Sequence, residues 1–200
     1  MTRTADLTEF NRTAVVGLPG SGKSEWAKAA ARDTIAAGGR VLVIDVLGEY
    51  TKLPKGAIVY LVQNMQEPLQ EVELLLKRLI CDPYKRTGKQ PFDLLICEES
   101  SRYFRNQSRL PPNFGLINDV NRHMKLKVIC IARRFVQMHT DIAELAHELI
   151  IYRQTGINDL KRLDDTVQGL CVAVESLPKY HFVRADSERK YAIRRPIRIK

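Results

Sequence analysis

The stretch GLPGSGKS at residues 17–24 fits the pattern G-x-x-x-x-G-K-[ST] of a phosphate-binding loop. An apolar run, TAVVG at residues 13–17, comes before it, and an alanine-rich, helix-favouring segment follows over residues 23–37. Glycines allow the backbone N–H groups of such a loop to point at phosphate, and the positive end of the following helix adds to the attraction. The stretch therefore predicts a strand, a loop and a helix that together bind a nucleoside triphosphate.

Two side chains of the loop have separate roles in this prediction. Lys23 reaches the β and γ phosphates, and the Ser24 hydroxyl is a ligand of Mg²⁺, so ATP and Mg²⁺ are the expected cofactors. The other interpretation is a glycine-rich turn without a ligand, which the flanking strand and helix disfavour. The predicted nucleotide-binding residues are Gly17, Leu18, Pro19, Gly20, Ser21, Gly22, Lys23, Ser24 and Glu25.

Short apolar runs alternate with helix-length segments along most of the chain. After the first run, strands are predicted at residues 41–46, 57–62, 93–97, 127–132 and 149–152. Predicted helices cover residues 68–80, where leucine and valine recur at helical spacing, and residues 114–124 and 141–147. The alternation predicts an α/β fold with a mainly parallel sheet sandwiched by helices, the RecA-like (ASCE) architecture of P-loop NTPases.

The last part of the chain has a different pattern. Residues 181–185 and 191–197 are predicted to pair as a β-hairpin at the sheet edge, because Pro196 restricts its strand to an edge. We expect a single P-loop ATPase domain over residues 1–200, with a core at about 13–163 and basic strands at about 164–200.

The formal net charge of the 200-residue chain is +9, which favours a polyanionic partner. The final segment is the most basic and has two interpretations, a solvated tail or a surface for nucleic acid or an acidic partner. No signal peptide and no apolar run of membrane-spanning length is recognised, and four separate cysteines without a C-x-x-C pair predict reduced thiols and an intracellular protein. The basic residues of this segment are Arg184, Arg189, Lys190, Arg194, Arg195, Arg198 and Lys200.

Two adjacent acids follow an apolar run in DLLICEES, residues 93–100. A P-loop enzyme needs an acid at the end of a neighbouring strand, and we assign Glu98 to the water shell of Mg²⁺. Glu99 is then the general base that activates the attacking water, which predicts hydrolysis rather than transfer to a substrate hydroxyl. The alternative is a pair of acids on a solvated loop.

Several segments together resemble the FtsK/HerA group of P-loop motors, which pump DNA. The likeness spans about residues 13–163. The short chain further resembles the small genome-packaging ATPases of icosahedral viruses with an internal membrane. The segments that carry the resemblance are DVLGEY at residues 45–50, CEES at 97–100, NRH at 121–123, KLKVICIARRF at 125–135 and AHELIIYRQTGINDLKRL at 146–163.

This resemblance implies a ring-forming ATPase, a hexamer or pentamer of identical subunits, that drives double-stranded DNA into a preformed capsid. It also implies action in the host cytoplasm or in association with the virion, with a capsid or vertex protein as a further partner. A cellular or plasmid DNA-mobilising ATPase, a P-loop small-molecule kinase and a nucleotide-dependent assembly switch are the alternatives. A GTPase switch would show an N-K-x-D motif, which we do not find.

The sequence departs from the group's pattern at two places. Glu98 stands where aspartate is usual, and Arg133 and Arg134 stand where the strand normally ends in a glutamine or asparagine sensor. The resemblance assigns a trans-acting arginine finger to Arg122 first, and to Arg133 or Arg134 next. A surface or DNA-facing arginine is the alternative for each.

A basic loop follows the paired acids directly, over residues 101–115. Its arginines, Arg102, Arg105 and Arg109, are candidates for sequence-independent contacts to DNA phosphates. A subunit contact or an ordinary exposed loop is the other interpretation.

Overall fold

The computed structural model describes residues 12–106 and 109–197. Its strands are β1 Arg12–Val16, β2 Val41–Asp45, β3 Ala57–Leu61, β4 Leu94–Cys97, β5 Lys127–Ala132, β6 Glu148–Tyr152, β7 Phe182–Ala185 and β8 Tyr191–Arg194. They form one sheet in the order β3-β2-β4-β5-β1-β6-β7-β8. The first six strands of this order pair in parallel, and β7 and β8 add an antiparallel hairpin at the edge. The predicted mainly parallel sheet and its terminal hairpin are confirmed.

The helices occupy most of the connections between strands. The helix predicted over residues 68–80 is longer in the structure, because a wide π-type turn at Lys77–Cys81 joins α2 to α3 without a break. Pro83 has no N–H to donate, and the wide turn ends just before it. The helices are α1 Lys23–Ala36, α2 Pro68–Leu76, α3 Asp82–Thr87, α4 Pro112–Met124, α5 Thr140–Glu144, α6 Ile157–Thr166 and α7 Leu170–Glu175.

The segment beyond residue 163 is not composed of strands alone, which corrects the prediction of basic strands at 164–200. The end of α6 and all of α7 come before the hairpin. Leu163, Leu170 and Val174 are buried and anchor these helices in the core, but they are too few among charged residues to be recognised as helical faces. Arg198 and Lys200 lie outside the described residues.

The core lies on both faces of the sheet, as expected for parallel strands covered by helices. Alternate residues of β2 face opposite sides, so Leu42 belongs to one apolar cluster and Val43 to the other. Ala27, Ala30 and Ala31 of α1 are fully buried against the face that carries Val43. Cys97 and Cys130 are buried free thiols, as predicted. No helix among the described residues has the length and apolar character that crossing a bilayer requires.

Parallel pairing also decides where polar groups meet. Because β1 and β4 both pair with β5 in parallel, the loop after Val16 and the acids after Cys97 emerge at the same edge of the sheet. This carboxyl edge is the usual ligand-binding edge of an open α/β sheet.

The start of α4 is capped by a side chain from another helix. Pro111, which precedes the helix, provides no side-chain cap. Glu73 of α2 accepts hydrogen bonds from the backbone N–H groups of Asn113 (2.9 Å) and Phe114 (3.0 Å), and from the Asn113 side chain at 2.8 Å. A carboxylate at this position satisfies free N–H groups and complements the positive end of the helix.

We therefore predict that Glu73→Ala lowers the free energy of unfolding by about 1–2 kcal/mol, because it leaves the first turn of α4 uncapped. Urea denaturation of the ligand-free protein measures this change. Glu67→Ala is the matched control, since Glu67 is exposed and its side chain caps nothing at the start of α2. Equal stability of the two variants would contradict the prediction.

Candidate nucleotide-binding site

The phosphate-binding loop joins β1 to α1, as predicted. Gly20 and Gly22 adopt left-handed backbone conformations, with φ of 71° and 108°, that favour glycine. At Gly17 the constraint is space, because a Cβ there would lie 2.4 Å from the Cβ of Tyr152. Tyr152, at the end of β6, thus packs directly beneath the loop, and no signal in the sequence singles it out.

Lys23 is buried at the start of α1, with 6% of its surface exposed. Its Nζ donates to the Leu18 carbonyl at 3.0 Å, which keeps the ammonium group inside the loop. Burial lowers the pKa of Lys23, while the nearby charges of Glu98 and Glu99 act in the opposite direction. The loop lysine and both predicted acids are therefore close enough to interact electrostatically.

Glu98 directly follows β4 and is 1% exposed. Its carboxylate accepts a hydrogen bond from the Tyr50 hydroxyl at 2.7 Å. Burial raises the pKa of Glu98 to about 7; the charges of Glu99 and Glu49 also raise it, while the Tyr50 hydrogen bond and Lys23 lower it. The protein thus holds a carboxyl that is only partly ionised near neutral pH when no cation is bound.

The DVLGEY segment at residues 45–50 has a structural role that explains this hydrogen bond. The Asp45 carboxylate accepts from the backbone N–H groups of Leu47, Gly48 and Tyr50, at 2.9–3.0 Å, and so folds the segment into a tight loop. The loop delivers Tyr50, fully buried, to Glu98. The sequence identified the segment, but it did not show that Tyr50 contacts a predicted acid.

Glu99 lies in the left-handed backbone region, with φ of 47°, which is costly for a residue with a side chain. The turn is held in place because the Ser100 hydroxyl donates to the Ile131 carbonyl at 3.0 Å. The Glu99 carboxylate accepts a hydrogen bond from the Arg133 Nε at 2.7 Å. The predicted general base is thus ion-paired with one of the predicted arginines.

The two arginines after β5 have different partners. Arg133 faces Glu99, whereas Arg134 pairs with the buried Asp159 of α6 at 2.9 Å. Gln154, fully buried after β6, donates from Nε2 to the Arg133 carbonyl at 3.0 Å, and its buried Oε1 has no hydrogen-bond partner among the described residues. Arg134 is therefore engaged in holding α6, and Gln154 is a polar group near the site that sequence reasoning missed.

The remaining predicted residues lie outside this group. Arg122 is exposed at the end of α4, where its charge acts on Arg12 and His147, at the starting edge of the parallel strands. That edge is about one strand length, roughly 20 Å, from the loop. Glu25 pairs with Lys28 on α1 at 2.8 Å. Arg102, Arg105 and Arg109 are exposed.

Three comparisons place this geometry among known proteins. A family model described as Helicase HerA, central domain, matches residues 6–103. The genome packaging NTPase B204 from Sulfolobus turreted icosahedral virus 2, in complex with ATP-gammaS, is similar with a TM-score of 0.80 and 20% identity over 96% of this chain and 100% of that chain. B204 from Sulfolobus turreted icosahedral virus matches with a TM-score of 0.81 and 17% identity over the same shares.

VirB4 of Thermoanaerobacter pseudethanolicus is also similar, with a TM-score of 0.74 and 10% identity over 98% of this chain and 91% of that chain. No curated protein matches at a significant level. The chain has the fold of these P-loop proteins, and its residues 6–103 match the HerA central-domain model. This finding confirms the resemblance and the fold class that the sequence predicts.

The oxygen donors of this candidate site fit Mg²⁺. Ser24 supplies a hydroxyl oxygen that no hydrogen bond of the described residues uses, and Glu98 supplies carboxylate oxygens, which are the hard ligands that Mg²⁺ prefers. Among the described residues, no group of three or more His, Cys, Asp or Glu side chains forms a metal cage. Few protein ligands are typical of Mg²⁺ that is also bound by nucleotide phosphates.

The raised pKa of Glu98 predicts a pH-dependent effect of its removal. The folded protein binds the Glu98 proton more tightly than the unfolded chain, so ionisation costs stability as the pH rises from about 4.5 to about 7. We expect Glu98→Gln to raise the free energy of unfolding of the ligand-free protein by roughly 1–3 kcal/mol at alkaline pH, and by much less at acidic pH. Urea denaturation at the two pH values measures the difference.

Glu67→Gln is the matched control, because it also removes one carboxylate, but from an exposed residue just before α2. We expect no pH-dependent gain in stability from this variant. If Glu98→Gln raised the free energy of unfolding equally at both pH values, burial would not be raising the pKa of Glu98.

Proposed function

We propose that this chain is an ATP-hydrolysing motor that translocates double-stranded DNA and packages a viral genome into a preformed capsid. The observation that carries hydrolysis is the grouping of Lys23, Glu98 and Glu99 at one edge of the sheet. The packaging role is supported by the likeness to B204, which covers 96% of this chain and the whole of that one. The chain spans only 60% of the conjugation coupling protein TcpA, so plasmid mobilisation is the less favoured role.

In the proposed reaction, the loop N–H groups and Lys23 bind the nucleotide phosphates and neutralise their charge. Ser24 and Glu98 would hold Mg²⁺, which supplies further charge neutralisation at the β and γ phosphates. Glu99 accepts the proton of the attacking water, and release from Arg133, which binds its Oε1, leaves both carboxylate oxygens open for this step. A small-molecule kinase would use the acceptor hydroxyl as nucleophile and would not need this second acid.

The proposal predicts the behaviour of two variants. Glu99→Gln is expected to bind ATP with nearly unchanged affinity but to release inorganic phosphate at least about a hundredfold more slowly, because the general base is lost. Lys23→Ala is expected to lose nucleotide affinity. Phosphate release with and without duplex DNA, together with nucleotide binding by calorimetry, measures these effects. The control is Glu67→Gln, at an exposed residue just before α2.

Stimulation of phosphate release by duplex DNA is the expected result for the unmodified protein. Absence of turnover under every condition, or transfer of phosphate to a small acceptor, would contradict the motor. Full nucleotide affinity in Lys23→Ala would contradict the loop assignment itself.

The proposed working form is a ring of identical subunits, and Arg122 is its trans-acting arginine. Arg122 lies at the opposite end of the strands from its own phosphate-binding loop, so it can contact a γ-phosphate only in a neighbouring subunit. We further propose double-stranded DNA and a capsid or vertex protein as partners, and action in the host cytoplasm. Arg133 is the alternative phosphate contact, within its own subunit.

A mixing experiment tests the trans role. Arg122→Ala and Lys23→Ala are each expected to lose at least about a hundredfold in turnover when assayed alone. In a mixture, some interfaces join an intact loop from the Arg122→Ala subunit to an intact Arg122 from the Lys23→Ala subunit, so activity is expected to return in part. Light scattering confirms ring assembly. Full turnover of Arg122→Ala alone, or no recovery in mixed rings, would exclude the role.

A further inference from the structure

A cavity of about 450 Å³ lies beside the Glu99–Arg133 ion pair, on the side of the basic turn that follows the acids. Its charged lining residues are Arg102, Arg105, Arg133 and Glu99. The charges of Arg102 and Arg133 therefore lie beside one carboxylate, around a space that is large enough for a small anion. This arrangement attracts negatively charged ligands.

Arg133 has hydrogen-bonding capacity beyond its ion pair. Only its Nε donates to Glu99, and no hydrogen bond of the described residues uses its two terminal nitrogens. Its side chain remains 39% exposed, and its backbone carbonyl is fixed by Gln154. A guanidinium has five N–H donors in a planar arrangement, so Arg133 can bind a second anion while its main chain stays in place.

Arg102 stands on the same rigid turn as Glu99. Its backbone N–H donates to the Glu99 carbonyl at 2.8 Å, and the turn is anchored to β5 through Ser100. Its side chain is exposed and forms no ion pair with another described residue. The position of Arg102 relative to Glu99 is thus fixed by the backbone, while its charge is available to a ligand.

We propose that this cavity is a second phosphate-binding site, an inference that rests on the proposed function. The site shares Arg133 with Glu99, so its occupancy is coupled to release of the general base. The ligand is a phosphate group, with oxygens that accept from Arg102 and Arg133. Two sources have this chemistry, a backbone phosphate of DNA and the inorganic phosphate that hydrolysis releases. A bound phosphate divides the charge of Arg133 between two anions and weakens its hold on Glu99.

Binding is tested without ATP turnover, so that its failure is distinct from failure of the proposed function. In a Lys23→Ala background, which removes the phosphate-binding loop as a competing site, inorganic phosphate is titrated and followed by calorimetry. We expect Arg102→Gln to weaken its binding about tenfold. The controls are Arg86→Gln, an exposed arginine at the end of α3, and Arg109→Gln, which follows the same turn but lies outside the cavity lining.

If Glu99 and phosphate share Arg133, a variant that removes the Glu99 charge should bind phosphate more tightly, in contrast to Arg102→Gln. Glu99→Gln removes the anion that competes for Arg133, so phosphate affinity is expected to rise about threefold to tenfold. Equal phosphate affinity in Arg102→Gln and Arg86→Gln would overturn the site. Unchanged affinity in Glu99→Gln would overturn the sharing of Arg133.

Duplex DNA distinguishes the two sources in the same background. If the DNA backbone is the ligand, Arg102→Gln weakens DNA binding more than Arg86→Gln does, and inorganic phosphate competes with DNA. If the released product is the ligand, only the affinity for inorganic phosphate depends on Arg102. Either result supports a phosphate site, whereas dependence of neither ligand on Arg102 removes it.

Discussion

Burial of three charged side chains at one edge of the sheet is the constraint on which the rest of the site depends. Lys23, Glu98 and Glu99 are each at most 6% exposed, and desolvation of such groups is costly unless partners hold them. The parallel pairing of β1, β5 and β4 brings them together, and each has a specific partner. The Leu18 carbonyl holds the lysine, the Tyr50 hydroxyl holds one acid and Arg133 holds the other.

The proposed reaction requires groups of this site to exchange partners. In it, Lys23 leaves a carbonyl for phosphate and Glu99 leaves Arg133 for water, while the strands that carry them stay in place. The strained backbone at Glu99 is compatible with this exchange, because Ser100 and Gln154 fix the main chain on both sides of the ion pair. When side chains change partners on a fixed backbone in this way, a change in the bound nucleotide can alter the charges exposed at the protein surface.

Local sequence patterns could predict the loop, the strands and the two acids, because each depends on residues close together in the chain. The partners could not be predicted in this way. Tyr50 reaches the site from the end of β2, and Tyr152 and Gln154 reach it from the end of β6, so their roles follow only from the strand order. The helical continuation past Pro83 was also missed, since a proline inside a helical pattern normally ends the helix. Here the wide turn at Lys77–Cys81 comes just before the proline, and the chain stays helical. α7 was missed because its buried face is only two residues wide.

Arginine after β5, in place of the glutamine or asparagine that the resemblance leads one to expect, has a physical consequence. An amide side chain offers two donors and can satisfy one acceptor well, whereas the planar guanidinium can bind a carboxylate and a phosphate at the same time. Arg133 also carries a full charge, so any anion that reaches it changes the field at Glu99. An amide side chain is still present at the site, because Gln154 follows β6, two strands away from β5, and donates to the Arg133 carbonyl. Two residues therefore share the polar roles at the end of β5: Gln154 holds the main chain of Arg133, and the Arg133 side chain carries the charge.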